Sequence, residues 1–274
     1  MKKGGTRLLT IVGSLCLVTL AVAVCALSRI CTDAERDGLR GPVREIVEET
    51  YRLVDKFGTV TQELEKRVIS QYNREGALTE RVSYDGNGNI TSHSVYVINA
   101  DGRSSEIITY NGLGNVESQS AITYESSDTT ERKIHRMYNA DGSLDYVYVY
   151  NYNTDGHMVE AVHYNADGSL DMRGINSYDA QGKLLETDMY DAQGKLFMKI
   201  TWTYSEQGVV IESSSILYLN GIEWLTGRMG YSDYELDAYE NWIKRVESEW
   251  VEKFGKEYWE PRKVIYRTIN YYEE

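Results

Sequence analysis

The chain has 274 residues, a formal net charge of −13, 42% hydrophobic residues, and 23 tyrosines against 3 phenylalanines and 2 prolines. A chain this acidic repels a phosphate backbone, which sets nucleic acid aside as a partner. All three cysteines, Cys16, Cys25 and Cys31, lie near the N-terminus. The rest of the chain therefore has no disulfide, thiol nucleophile or cysteine-based zinc site.

Lys2, Lys3 and Arg7 precede an apolar run over residues 8–27, broken only by Thr10, Gly13, Ser14 and Thr19. A basic flank followed by such a run is an export signal. Its length suffices to cross a bilayer of roughly 30 Å. The expectation is a hydrophobic transmembrane helix holding the chain in the membrane through residues 8–28. The basic flank stays cytoplasmic, and residues 33–274 lie outside the cytoplasm. Three fates stay open: retention as a signal anchor, cleavage after Ala26 or Ser28, and lipidation at Cys25 or Cys31. Residues 1–32 thus read as a targeting segment with a short linker. Residues 33–274 read as one β domain.

Within that domain, residues 39–71 hold a first hairpin turning at Asp55-Lys56-Phe57-Gly58. From residue 72 to 208 one unit recurs, a tyrosine four residues ahead of a glycine. The glycines are Gly76, Gly88, Gly102, Gly114, Gly142, Gly156, Gly168, Gly182, Gly194 and Gly208, with Asp128 in the one missing place. The partners are Tyr72, Tyr84, Tyr110, Tyr124, Tyr138, Tyr152, Tyr164, Tyr178, Tyr190 and Tyr204, with Ile98 once instead. Every spacing is 12 or 14. Side chains alternate along a strand with period two, so an even repeat predicts one face for every tyrosine.

The turn Tyr138-Asn139-Ala140-Asp141-Gly142 suits a type I turn followed by a glycine at positive φ, the three-residue hairpin with a G1 bulge. Asn or Asp at its first position caps the turn with its side chain. This geometry pairs each tyrosine with the residue two after the glycine. Examples are Tyr72 with Leu78, Tyr138 with Leu144 and Tyr178 with Leu184. The predicted fold is all-β: an extended antiparallel meander of about a dozen hairpin strands, which must twist, curl or close, and the expectation is a curled or spiral sheet. Its tyrosine face is expected to turn inward.

Residues 209–274 read as irregular closing strands. Asn220-Gly221 marks a tight hairpin. In residues 241–255, Ile243, Val246, Trp250, Val251 and Phe254 fit a helical stripe that Gly255 would end, so helix and strand both stay open. Residues 262–272 form the last strand, with Pro261 at its start.

The units Tyr178-Asp179-Ala180-Gln181-Gly182-Lys183-Leu184 and Tyr190-Asp191-Ala192-Gln193-Gly194-Lys195-Leu196 resemble the YD repeat (RHS repeat) of the Rhs family, over residues 72–208. Leu39-Arg40-Gly41-Pro42-Val43-Arg44-Glu45-Ile46 resembles a flank of short exported bacterial proteins with such repeats. So does Ala238-Tyr239-Glu240-Asn241-Trp242-Ile243-Lys244-Arg245, with Glu240 where that family has glycine. The resemblance implies a coiled repeat protein and a strand from Trp242 to about Glu249. In the large Rhs proteins the repeats form a shell around a toxin. This chain has too few repeats for that, and the encapsulating role is not carried over.

The search for chemistry finds no catalytic set, metal site or cofactor. His93, His135, His157 and His163 fall an odd number of residues from the turn positions, which predicts the face opposite the tyrosines. His135 and His163 would lie about 10 Å apart, too far to share a metal without a third ligand. Asp141-Gly142-Ser143-Leu144-Asp145 lacks the alternation of a calcium loop. Trp202, Trp224, Trp242, Trp250 and Trp259 cluster in the last third, where they could stack on a ligand or close the core. The expected function is a non-enzymatic binding or scaffolding module at the cell envelope or surface, with a protein or glycan partner. An envelope polysaccharide hydrolase and a protective partner of an Rhs-type toxin are the alternatives.

Overall fold

The computed structural model describes residues 32–127, 130–219 and 222–273. A short helix, α1 (Asp33–Arg36), precedes sixteen strands. They are β1 (Val43–Lys56), β2 (Thr59–Tyr72), β3 (Leu78–Asp85), β4 (Ile90–Ile98), β5 (Ser104–Asn111), β6 (Val116–Ser126), β7 (Glu131–Asn139) and β8 (Leu144–Tyr152). Then follow β9 (Met158–Asn165), β10 (Leu170–Tyr178), β11 (Leu184–Asp191), β12 (Leu196–Tyr204), β13 (Val210–Leu219), β14 (Ile222–Leu236), β15 (Trp242–Lys253) and β16 (Lys256–Tyr271). Each strand pairs antiparallel with the next, and β1 pairs with β16, so the sheet is a closed barrel.

The expected meander of about a dozen strands, curled or spiral, is therefore corrected. The sheet is antiparallel and all-β, but it closes. The hairpins on either side of the repeats join the same sheet, and their outer strands meet at a seam running from Val43 opposite Tyr271 to Arg52 opposite Lys263. Among the described strands closure leaves no open sheet edge, the row of unpaired N–H and C=O groups through which sheets pair with other chains. Residues 242–253 are strand, not helix. Pro261 lies inside β16 opposite Ser248, beside a register shift, a place where a missing N–H is tolerated. Among the described residues no helix is long and apolar enough to cross a membrane. The hydrophobic helix expected over residues 8–28, the fate of the cysteines, Asp128 and the Asn220-Gly221 turn lie outside the described residues.

The local turn chemistry is as the residues dictate. Gly142 has φ 81°. Asn139 N–H donates to Ser143 C=O, and Gly142 N–H donates to Asn139 C=O, both at 2.9 Å. Tyr72 faces Leu78, Tyr138 faces Leu144 and Tyr178 faces Leu184.

The tyrosines do not share one face, however. At every regular turn from Tyr72 to Tyr204 except the one after Tyr124, the ladder slips by one residue next to the repeat tyrosine. At Tyr178, for example, Leu184 is opposite while the preceding Ser177 faces Glu186. One extra residue in a strand exchanges its two faces. An even repeat with such a bulge in it therefore alternates the tyrosines. Tyr72, Tyr124, Tyr152, Tyr178 and Tyr204 point into the barrel at one mouth. Tyr84, Tyr110, Tyr138, Tyr164 and Tyr190 point outward near the other.

Three clusters fill out the wall. Ala34, Leu39, Val43, Ile46, Tyr72 and Leu78 pack at the first mouth, with Tyr96, Ile269 and Tyr271 against them. Met172, Leu184, Met189, Met198, Ile200 and Trp202 line the inner face of β10–β12. A smaller outer cluster joins Ile134, Val149 and Val162. The outer wall carries ion pairs: Lys199 with Glu186 (2.6 Å) and Asp188 (3.1 Å), Arg67 with Glu49 (2.5 Å), and Arg228 with Glu212 (2.8 Å). A membrane-spanning barrel instead shows lipid an apolar band about 25 Å tall. This wall suits water. Among the described residues every strand finds its partners within residues 32–273, and the packed clusters lie there too, so this part of the chain forms a closed folding unit of its own.

Candidate functional site

The first mouth is covered by the chain's own residues 32–41. Thr32 caps α1: Glu35 N–H donates to Thr32 Oγ1 at 3.2 Å, and Thr32 N–H donates to Glu35 Oε2 at 2.9 Å. This reciprocal pair fixes the short helix. Ala34 N–H donates to Gly76 C=O at 2.9 Å, and Leu78 N–H donates to Asp33 at 3.0 Å. Asp37 accepts the Tyr72 hydroxyl at 2.6 Å and the Arg81 guanidinium at 3.1 Å. Arg36 lies 3.8 Å from Glu131 and 5.3 Å from the Tyr152 ring centre. Arg103 meets the other oxygen of Glu131 at 3.5 Å and stacks 4.0 Å over Tyr124. Arg40 N–H donates to Asn241 at 2.8 Å, and Asn241 donates back to Arg40 C=O at 2.9 Å. The segment is thus bonded to β2, β3, β7 and the turn after β14, and its Arg36 lies over the end of β8. It crosses the opening as a lid. Asp37→Ala is expected to lower stability by about 2 kcal/mol, because it removes the charged acceptor of the buried Tyr72 hydroxyl; urea unfolding at pH 7 measures the loss.

Beneath the lid, Tyr148 stands opposite both His135 and His163. The His163 ring is 4.6 Å from that of Tyr148, and its Nδ1 is 2.9 Å from Asp171. Both histidines therefore share the tyrosine face of β8, a correction to the opposite face expected for them, and the bulges are again the cause. Burial pulls the Lys133 ammonium down to about 8, with Arg36 adding to the shift. Burial, then Lys133, pulls the His135 imidazole down to about 4. An unfolded histidine titrates near 6.5. Between these values the unfolded chain binds more protons, so this contribution to stability is full above about 6.5 and falls as pH drops towards 4. Lowering the pH from 7 to 5 is expected to cost on the order of 2 kcal/mol through this residue. His135→Gln removes that part of the pH dependence, as urea unfolding at both pH values would report.

The other histidines lie elsewhere. His93 pairs with Glu80 at 2.7 Å beside Tyr110. His157 stacks on Tyr178 at 4.7 Å in the turn after β8. The five tryptophans do not form one surface. Trp202 is in the inner core. Trp242 meets the guanidinium groups of both Arg245 (4.4 Å) and Arg267 (3.5 Å). Trp250 and Trp259 meet edge to face at 5.0 Å, with Arg228 over both. Trp224 is exposed at the far mouth. The repeat glycines Gly142, Gly156, Gly168, Gly182, Gly194 and Gly208 all hold the positive φ of the turn. The sequence signal of the lid is the Thr32-x-x-Glu35 capping box.

Fold and site together define a closed sixteen-stranded antiparallel barrel with a lid formed by its own N-terminal segment. A family model described as "Uncharacterised protein" matches residues 143–235. No curated protein matches. Among solved structures, the chain is similar to a porin-like protein from Bacteroides uniformis ATCC 8492, with 12% identity over 84% of this chain and 98% of that one and a TM-score of 0.37. It is also similar to a porin-like protein from Bacteroides vulgatus ATCC 8482, with 12% identity over 82% and 97% and a TM-score of 0.31. A DUF1329 family protein from Desulfovibrio piger ATCC 29098 shows 10% identity over 84% and 86%, with a TM-score of 0.23. The resemblance to YD or RHS repeats is corrected: the family model that matches is of an uncharacterised protein, and the sheet closes as a barrel where a spiral was expected.

Proposed function

We propose that the protein is an exported binding or scaffolding module of the cell envelope. It is held at the membrane through residues 8–28, with residues 33–274 outside the cytoplasm and free to meet a protein or glycan partner. The observation that carries this reading is the lid. The chain leaves the export-type segment and runs directly into residues 32–41, which are bonded to Tyr72, Leu78, Arg81 and Asn241 around one mouth. The lid therefore ties the first mouth of the barrel to the segment that precedes it. The water-suited outer wall supports a domain standing outside the bilayer.

Fusing alkaline phosphatase after Glu274 of the full chain and fractionating the cells tests this. The reading expects phosphatase activity in the membrane fraction, lost when residues 8–28 are deleted. An inactive, cytosolic fusion would overturn it. Turnover of a cell-wall polysaccharide by the purified protein, abolished by changing one carboxylate, would replace it with the hydrolase reading.

A further inference from the structure

The far mouth carries a feature that the fold itself does not use. Strand order brings the hairpins β13–β14, β15–β16 and β1–β2 together as consecutive hairpins around this mouth. Two of them are two-residue turns of the same sequence, Lys56-Phe57-Gly58 and Lys253-Phe254-Gly255. Phe57 has φ 57° and Gly58 φ 83°, while Phe254 has φ 55° and Gly255 φ 71°. Positive φ at both central positions is the type I′ arrangement, which favours Asn or Asp before the glycine. Phenylalanine there carries left-handed strain, because its Cβ crowds the following carbonyl oxygen. No packing offsets it, since both side chains are fully exposed, at 109% and 103%. The neighbouring hairpin adds exposed Leu219, Ile222 and Trp224.

Charge is layered behind these tips. Lys253 and Lys256 form the first ladder pair below Phe254, and Glu252 and Glu257 the next. Lys56 is the first residue below Phe57, and Asp55 the next. At these two tips, going away from the mouth, the order is apolar ring, ammonium, carboxylate, with Lys56 paired to Glu63 at 2.7 Å and Lys253 to Glu260 at 2.6 Å. That order matches a phospholipid surface, with acyl chains, then phosphates, then water. Exposed aromatic residues flanked by lysine favour that interface.

We propose that the far mouth docks on the surface of a phospholipid bilayer through Phe57, Phe254 and the Ile222–Trp224 edge, with Lys56, Lys253 and Lys256 at the phosphate level. This goes beyond the envelope reading and does not depend on residues 8–28. A second copy of the chain fits the rim less well. A two-fold contact buries the same patch on both copies, and would take the lysines of both rims out of water together.

The test uses residues 32–274, the complete barrel with its lid, and sedimentation with vesicles of phosphatidylcholine and phosphatidylglycerol. The wild-type barrel is expected to co-sediment, with a blue shift of tryptophan emission as Trp224 enters the interface. The pair Phe57→Asn and Phe254→Asn places the favoured residue in both turns. It should leave the melting temperature equal or higher while weakening vesicle binding at least tenfold, since two apolar rings no longer enter the lipid. Lys56→Gln, Lys253→Gln and Lys256→Gln together should weaken binding to the anionic vesicles and leave it unchanged on pure phosphatidylcholine. No binding by the wild-type barrel, or equal binding by the double asparagine variant, overturns the proposal. A wild-type dimer that the double variant converts to a monomer would assign the rim to a second copy instead.

Discussion

Trp202→Ala is expected to lower the unfolding free energy by about 3–5 kcal/mol. Trp202 is 8% exposed and packs in the inner cluster with Met172, Leu184, Met189, Met198 and Ile200. Met189, in the same cluster, is 1% exposed. Truncating the indole there loses its transfer free energy and leaves a cavity that the rigid sheet cannot fully collapse. Trp224→Ala is the contrast. That ring is 57% exposed at the far mouth, so its loss should change stability by no more than about 0.5 kcal/mol. Urea denaturation of both variants checks the pair. Equal effects would mean that the inner wall of β10–β12 is not a packed core.

Arg267→Ala is expected to cost about 3 kcal/mol. Arg267 on β16 donates to Glu48 on β1 at 2.8 Å, across the seam that closes the barrel. Its guanidinium also covers the Trp242 ring at 3.5 Å, with Arg245 on the same ring at 4.4 Å. Burial lowers the Arg267 pKa from its ordinary value, against the pull of Glu48. Removing the cation leaves the Glu48 carboxylate without this partner inside the barrel mouth, and an uncompensated charge there is costly. Arg267→Lys keeps the charge but loses the planar fork and the stacking. It should fall between the wild type and the alanine variant in the same unfolding measurement.

What could be read from the sequence follows from how far each contact reaches along the chain. The hairpin turns were legible because Asn139, Asp141 and Gly142 settle their own backbone within five residues. The facing of Tyr138 by Leu144 then follows from that turn. The closure was not legible, because it rests on Val43 meeting Tyr271, a pairing that no local pattern announces. The alternation of the tyrosines was hidden for a different reason. The extra residue of each bulge lies three places after the turn glycine, and these positions hold Thr79, Asp145, Leu185 and Phe197 among others. Thr79 uses its hydroxyl to donate to Gln71 C=O at 3.1 Å, whereas Leu185 and Phe197 have no such group. With no common residue type at these positions, the bulges leave no mark on the even spacing. Similarly, His135 and His163 could be placed two strands apart by counting. Their shared face with Tyr148 needed the bulges. The lid and the paired Phe tips were present as short motifs, but only the closed topology places them at opposite mouths.

The closed seam is the claim on which both mouths depend, and engineered cysteines test it most directly. Val47 and Thr268 face each other across β1 and β16. Opposed residues in an antiparallel pair lie about 4.5–5.5 Å apart between Cα atoms, within the span a disulfide bridges. The full chain carrying Val47→Cys and Thr268→Cys should be oxidised under native conditions and its disulfides mapped by peptide mass analysis. The closed barrel predicts an intramolecular disulfide joining the peptides that contain these two positions, formed in the monomer. Thiols that stay reduced in the native monomer, or that join only between molecules, would contradict the closure.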